Sequence, residues 1–72
     1  MTKQEQIERW MEIIVQAKKA EREMRDLADI LVGSKDFLED SIGREVRSAS
    51  DSVHALIQTT RRSIKHYMSF NE

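Results

Sequence analysis

The chain contains no cysteine and no proline, and it has only two glycines among its 72 residues. Without cysteine there is no disulfide and no zinc site built on thiolates. Below roughly 70–80 residues, one hydrophobic core rarely supplies more than ~3–5 kcal/mol of net stability, and small folds usually add a disulfide, a metal or a partner. We therefore predict a single domain over residues 1–72 that is completed by a protein partner or by dimerisation.

An excess of charge of one sign is also missing, because 12 Lys and Arg stand against 13 Asp and Glu. Proteins that bind nucleic acid usually carry a clear basic excess, since neutralised phosphates supply most of the affinity. The balance therefore argues against nucleic acid as the main partner. The two histidines, His54 and His66, have no second ligand at the helical spacing of a metal site, so we predict neither a metal nor any other cofactor.

Long apolar runs are absent as well. The longest, Ile13-Ile14-Val15, is far shorter than the ~20 residues that a membrane-spanning helix needs. Residues 1–10 lack the apolar segment of a signal peptide. We predict a cytoplasmic protein that does not enter a membrane.

Good helix formers fill the first half of the chain. It opens on Thr2-Lys3-Gln4-Glu5, which has the spacing of a capping box. The apolar residues that follow cover an arc of roughly 160° on a helix, wider than one antiparallel neighbour covers, and Glu21 intrudes on it. Steps of three and four residues place these side chains on one helix face: Ile7, Trp10, Ile13, Ile14, Ala17, Ala20, Met24, Leu27, Ala28 and Leu31.

A turn is predicted at residues 33–36, between helices at about 3–32 and 37–69. Gly33 stands where a left-handed C-terminal cap is expected, and Ser34 is a candidate N-cap for the second helix. Gly43 lies off the second apolar stripe and should weaken the helix there by about 1 kcal/mol relative to alanine. That stripe comprises Leu38, Ile42, Val46, Ala49, Val53, Leu56, Thr60, Ile64 and Tyr67.

Two long helices joined by a short turn predict an all-α fold, a helical hairpin of antiparallel helices. Small residues in its middle are expected to let the helices approach closely: Ala17, Ala20, Ala49 and Ser52. Bulky residues are expected to gather at the other end, where Ile7, Trp10, Met11 and Ile14 face Ile64, Tyr67, Met68 and Phe70.

Side chains with catalytic potential do not converge in this sequence. Acidic residues stand four before basic ones, as in Glu5-Arg9, Glu21-Arg25 and Asp40-Arg44, which favours salt bridges on a solvated helix face. His54 and Asp51 lack a nucleophile elbow, and two helices do not supply the converging scaffold that a Ser-His-Asp site needs. We therefore predict that the protein is not an enzyme.

One basic cluster lies near the end of the second helix and contains Arg61, Arg62, Lys65 and His66. Positive charge there complements the negative end of the helix dipole. An alternative interpretation is that the chain forms a homodimeric four-helix bundle and binds RNA or another regulatory protein through Arg61, Arg62 and Lys65.

In outline, the chain resembles the small helical-hairpin cochaperones of type III secretion needle subunits. The resemblance rests on the start Met1-Thr2 with Glu5, the glycine turn at Gly33 and the segment SIKHYMSF at residues 63–70. It implies a protein that stabilises a larger helical-repeat chaperone and keeps an aggregation-prone needle subunit soluble in the cytoplasm before export. The partner contacts then expected are Ile7, Trp10, Ile14, Ala17, Ile57, Ile64 and Tyr67.

Overall fold

The computed structural model describes residues 2–69 as two helices joined by a short turn. Helix α1 spans Lys3–Leu31 and helix α2 spans Phe37–Ser69. The helices run antiparallel, because Gly43 at the start of α2 lies beside Leu31 and Tyr67 near its end lies beside Trp10. The all-α helical hairpin predicted from the sequence is confirmed.

The start of α1 is fixed by Thr2 and Glu5. The Thr2 Oγ1 accepts a hydrogen bond from the Glu5 N–H at 3.1 Å, and the Glu5 Oε1 accepts one from the Thr2 N–H at 2.8 Å. Hydrogen bonds from the Thr2 backbone, and secondarily from its side chain, lower the pKa of Glu5 below its usual value. The predicted capping box is therefore present.

The chain reverses direction at Gly33, whose φ of 89° lies in the left-handed region that glycine adopts without strain. The Val32 N–H donates to the Ala28 carbonyl at 2.8 Å, and the Ser34 N–H donates to the Leu31 carbonyl at 3.1 Å. These bonds satisfy carbonyls that the end of α1 would otherwise leave unpaired. The left-handed cap predicted at Gly33 is confirmed.

The cap of α2 is Asp36, and the prediction of Ser34 is wrong. The Asp36 Oδ1 accepts from the N–H groups of Leu38 at 2.9 Å and Glu39 at 3.2 Å, which is the geometry of an N-cap. The Ser34 Oγ accepts instead from the Asp36 N–H at 3.1 Å and donates to Glu39 at 3.0 Å. Ser34 thus shapes the turn, because the chain needs two more residues before helical conformation begins.

Between the helices runs a shared face that we call the seam. Its residues are buried or half-buried and recur at alternating steps of three and four on both helices, the period of helices that coil around each other. On α1 the seam comprises Ile7, Trp10, Ile14, Ala17, Glu21, Met24, Ala28 and Leu31. On α2 it comprises Gly43, Val46, Ser50, Val53, Ile57, Thr60, Ile64 and Tyr67.

The seam of α2 departs from the apolar stripe predicted for that helix. The structure buries Gly43, Ser50 and Ile57. Adjacent rows on a helix can both be apolar, and near the turn the close approach of the helices leaves room for Gly43 but for no larger residue. Four residues of the predicted stripe are exposed instead: Leu38, Ile42, Ala49 and Leu56.

Close approach of the helices occurs at Gly43, near the turn. A Cβ added there would lie 2.8 Å from the Leu31 Cβ and 2.8 Å from the Val32 backbone nitrogen, so only glycine fits without a shift. Gly43 was predicted to lie off the buried stripe, and that is wrong. Ala49 and Ser52, predicted to allow the approach, are exposed.

The turn is tied to α2 by the side chain of Asp40. Its Oδ1 accepts from the Gly33 N–H at 2.7 Å and its Oδ2 accepts from the Arg44 Nε at 3.0 Å. The bond from the Gly33 backbone, followed by the one from Arg44, holds the pKa of Asp40 below its usual value. The ionised form of Asp40 therefore stabilises the turn.

Ser50 is a buried polar side chain in the middle of the seam. It is 1% exposed, and within the described residues its Oγ has no hydrogen-bond partner. A buried hydroxyl without a partner costs about 1–3 kcal/mol. The small side chain of Ser50 fits the seam, but its unpaired oxygen lowers the stability of the hairpin.

We expect Gly43→Ala to destabilise the hairpin by about 1–3 kcal/mol, although alanine favours a helix by ~1 kcal/mol over glycine. The added methyl group meets the backbone of Val32, which moves only if the end of α1 moves. Urea unfolding followed by circular dichroism measures the change. Ser48→Ala, on the exposed side of α2, is the control that gains helix propensity without a new contact; equal stability of the two variants would disprove the steric explanation.

Acid should weaken the hairpin partly through Asp40. A carboxyl whose pKa is lowered by folding contributes stability above its unfolded pKa of ~3.9, and this contribution is lost as the pH falls through the lower folded pKa. Asp40→Asn should therefore be less stable than the wild type at pH 7 and lose less stability on acidification. Thermal unfolding across this pH range measures both effects. Asp51→Asn, an exposed Asp on the same helix, is the control that removes a carboxylate without removing a bond to the turn.

Ser50→Ala should stabilise the hairpin by about 1 kcal/mol, because the substitution removes an unpaired buried oxygen and raises helix propensity. The same urea titration measures the gain. Ser48→Ala should gain only the smaller propensity contribution. A loss of stability in Ser50→Ala would mean that the hydroxyl has a favourable interaction in the folded protein.

Candidate protein-binding surfaces

All seven residues predicted to contact a partner lie in the seam. Ile57 is 2% exposed, so the hairpin itself already covers it. The other six are half-buried: Ile7, Trp10, Ile14, Ala17, Ile64 and Tyr67. Within the hairpin these side chains hold α1 against α2, and their contact with a partner stays a prediction.

An aromatic pair closes the end of the seam that lies away from the turn, which we call the open end. The ring centroids of Trp10 and Tyr67 are 5.2 Å apart and the rings are inclined by 71°, the edge-to-face arrangement that aromatic rings favour. The Lys3 Nζ lies 5.5 Å from the centroid of the Tyr67 ring, within cation–π range. Bulky side chains do meet here as predicted; Phe70 lies outside the described residues.

Ten large apolar side chains stay exposed after the two helices have packed. They fall on different sides of the hairpin. In an antiparallel pair, the residues just before the seam residues of both helices share one flank, and the residues just after them share the other flank. Six lie on one flank and three on the other, while Phe37 stands apart at the start of α2.

The first flank, which we call the apolar face, has exposed fractions from 41% at Ile13 to 76% at Ile30 among its large side chains. Its central residues stand directly before a seam residue and recur every seven positions on each helix. Ile30 and Leu38 extend it towards the turn. The apolar face comprises Ile13, Ala20, Leu27, Ile30, Leu38, Ile42, Ala49 and Leu56.

The second flank carries a concave groove of about 590 Å³ at the open end. Met11, Val15 and Met68 in its lining are each more than half exposed. Three of the predicted partner residues, all from the seam, also line it. The complete lining, which we call the groove, is Gln4, Ile7, Met11, Ile14, Val15, Arg61, Ile64 and Met68.

Charged side chains occupy the same flank as the groove, nearer to the turn. The Glu21 carboxylate lies in the seam at 12% exposure and pairs with Arg25 at 3.1 Å and with the His54 Nδ1 at 3.0 Å. His54 thus reaches from α2 to Glu21 on α1. Arg47 and Asp29 also approach across the hairpin, at 4.0 Å. These contacts show which residues of α1 and α2 lie opposite each other on the groove flank.

Two of the three ion pairs predicted within single helices are present. Arg25 pairs with Glu21, and the Arg44 Nε lies 3.0 Å from the Asp40 Oδ2. Glu5 bonds Thr2 and forms no pair with Arg9. Exposed pairs of this kind contribute ~0–1 kcal/mol each to the stability of the fold. They are useful here mainly because they show where the charged side chains lie.

The predicted basic cluster is divided between two surfaces. Arg61 lines the groove, whereas Arg62 and Lys65 line a shallow depression on the outside of α2 together with His66. All three residues of the predicted patch are exposed. Only Arg61 therefore lies next to an apolar surface.

The apolar face is the surface that the sequence analysis missed, although its residues were noticed. Leu38, Ile42, Ala49 and Leu56 were assigned to the buried stripe of α2. The signal for a separate face was the spacing of seven residues, which links Ile13 to Ala20 and Leu27 on α1 and recurs from Ile42 to Leu56 on α2. The wide arc predicted for α1 already contained the apolar seam residues together with Ile13, Ala20 and Leu27 of this face.

Within residues 2–69, no cluster of three or more His, Asp or Glu side chains is placed to hold a metal ion. Over the same residues, neither helix has a segment long and apolar enough to cross a bilayer. Comparison with protein-family models, curated proteins and solved structures gives no match to this chain. The function is therefore inferred from the two surfaces.

Proposed function

We propose that the chain is a non-enzymatic, protein-binding helical hairpin whose groove receives an apolar helix of another protein. One observation carries the proposal: Met11, Val15 and Met68 remain more than half exposed around a concave apolar surface. Contiguous exposed apolar patches on small proteins mark interaction sites more often than single exposed residues do. A partner that covers the groove would remove these side chains from water.

A helix is the occupant that the shape of the groove favours. The lining comes from both α1 and α2, so the groove follows the channel between two antiparallel helices, and side chains of a third helix pack well into such a channel. Recognition of this kind uses apolar residues at positions i, i+3, i+4 and i+7 of the bound helix. Methionine side chains adapt to partners of different shape, and Met11 and Met68 stand on opposite helices.

The positive charge of Arg61 next to the groove indicates which kind of residue lies beside the apolar stripe of the bound helix. Arg61 lines the groove and forms no ion pair with the described part of the chain. An acidic side chain beside the apolar stripe of the bound helix would complement Arg61. Such complementarity adds mainly to specificity and to the association rate.

A more specific form of the proposal follows the resemblance to needle-subunit cochaperones. In this form the chain stabilises a larger helical chaperone, and the pair keeps an aggregation-prone secretion subunit soluble before export. The hairpin with its capping box at Thr2 and its glycine turn at Gly33 supports this role in outline. A helical-repeat chaperone presents helices of the kind that the groove favours.

Groove variants test the proposal. We expect Met11→Glu and Met68→Glu each to reduce the recovery of a bound protein at least tenfold, because each places a charge on the apolar surface that the partner covers. Affinity purification from the source cells, with quantitative mass spectrometry, measures the recovery. Both sites are exposed in the hairpin, so circular dichroism should show unchanged helicity.

Ser48→Glu, on the exposed side of α2 away from the groove, is the matched control and should recover the partner as the wild type does. The proposal fails if the groove variants and the control recover the same proteins in the same amounts. Raised salt distinguishes this proposal from the alternative in which Arg61, Arg62 and Lys65 bind RNA. Binding to phosphates weakens steeply as the salt concentration rises, whereas an apolar contact persists.

A further inference from the structure

The two flanks of the hairpin differ in charge. The ion pairs that join Glu21 to Arg25 and His54, Asp40 to Arg44, and Asp29 to Arg47 lie in the seam or on the groove flank. Six large apolar side chains are exposed on the apolar face. Helices whose apolar residues occupy the seam and one flanking position are typical of bundles with more than two helices. The pattern therefore indicates that further helices cover the apolar face.

The seam alone makes a thin core. Among the described residues, Ala28 and Ile57 are the only hydrophobic residues that the hairpin buries, at 1% and 2% exposure. The hairpin measures 58 × 15 × 14 Å, so one complete flank offers on the order of 900 Å², close to the ~800 Å² per partner of a standard protein interface. An interface along the whole flank that carries the apolar face would therefore reach the size of a standard interface.

The register of the hairpin makes the apolar face complementary to itself. Arg47 lies opposite Asp29, and His54 lies opposite Glu21. We call two residues level when they lie at the same height along the hairpin. In this register, Ala49 is level with Leu27, and Leu56 is level with Ala20. Along each helix, large and small residues of the apolar face therefore alternate. At each of these two levels, a large side chain on one helix stands beside a small side chain on the other.

We propose that a second copy of this chain packs on the apolar face, so that two hairpins form a four-helix bundle with a twofold axis along its length. This axis places α1 of one copy over α2 of the other, with both turns at the same end. Leu27 then meets Ala49 of the second copy, and Leu56 meets Ala20 of the second copy, a large side chain on a small one each time. Every helix lies antiparallel to its neighbours.

Charges at the edge of the apolar face are compatible with this arrangement. Glu23 is level with Ser52, and Glu45 is level with Ile30, so the twofold axis brings neither acidic side chain opposite another acid. The groove stays accessible, because it lies on the opposite flank of each hairpin. The dimer therefore does not depend on the proposed function of the groove, and it would present two grooves facing outwards.

The solution mass of the full chain tests the inference. Sedimentation equilibrium over a concentration series should give twice the chain mass of 8.5 kDa for the wild type. Leu27→Glu and Leu56→Glu should each weaken the dimer at least tenfold, because each charge would be buried against an apolar partner. A wild type that stays at the monomer mass throughout the series would overturn the inference, and so would a Leu27→Glu variant as dimeric as the wild type.

A pair of substitutions tests the arrangement of the two copies. Ala49→Leu alone should weaken the dimer, because it sets a large side chain on Leu27 of the second copy. Adding Leu27→Ala should restore the dimer mass, because the large and small partners are then exchanged. Both sites are exposed in the hairpin, so the variants keep their helices, which circular dichroism verifies. Absence of restoration in the double variant would overturn the proposed twofold axis.

Met11→Glu separates this inference from the proposed function. It changes the groove and should leave the dimer mass as in the wild type while lowering recovery of the bound protein. Leu27→Glu should instead lower the measured mass towards that of the monomer. Loss of dimerisation in Met11→Glu with retention in Leu27→Glu would mean that the copies associate through the groove, against the assignment of the apolar face.

Discussion

The structure depends on the close approach of α1 and α2 at Gly43. A side chain at this position would meet both the Leu31 side chain and the Val32 backbone, so the absence of one sets how near the end of α1 lies to the start of α2. The turn is built around that distance. Gly33 supplies the left-handed conformation that ends α1, and Asp40 binds the Gly33 N–H from the first turns of α2. These three residues act together to align the two helices from their connected end.

From that end the seam continues with residues that change in size. Ser50 and Ala28 are small and buried, while Trp10 and Tyr67 meet edge to face at the open end. A seam of small residues near the turn leaves larger apolar side chains outside it, since Leu27, Ile42 and Leu56 occupy the neighbouring row. The exposed apolar surface is thus a consequence of close packing. It is divided between the apolar face and the groove, which lie on opposite flanks of the hairpin.

Local signals in the sequence led to correct predictions. The capping box at Thr2 and Glu5, and the left-handed glycine at position 33, each depend on a few neighbouring residues. Long-range features were harder. Ser34 and Asp36 are both good caps, and the path of the turn decides between them. On α2, the larger Ile42 and Leu56 suggested the seam, whereas the structure places Gly43 and Ile57 there, because hydrophobicity does not report how closely two backbones approach.

Helix propensity, capping and the three-four spacing of apolar residues act within one helix, so the sequence is sufficient to predict two amphipathic helices separated at Gly33. The packing of α1 against α2 selects which apolar row forms the seam and which rows remain as the apolar face and the groove. It also brings Glu21 to His54 across the hairpin. The physical reason is that two adjacent rows of a helix have nearly equal hydrophobicity. Only the distance permitted by Gly43 and the register held by the turn select between them.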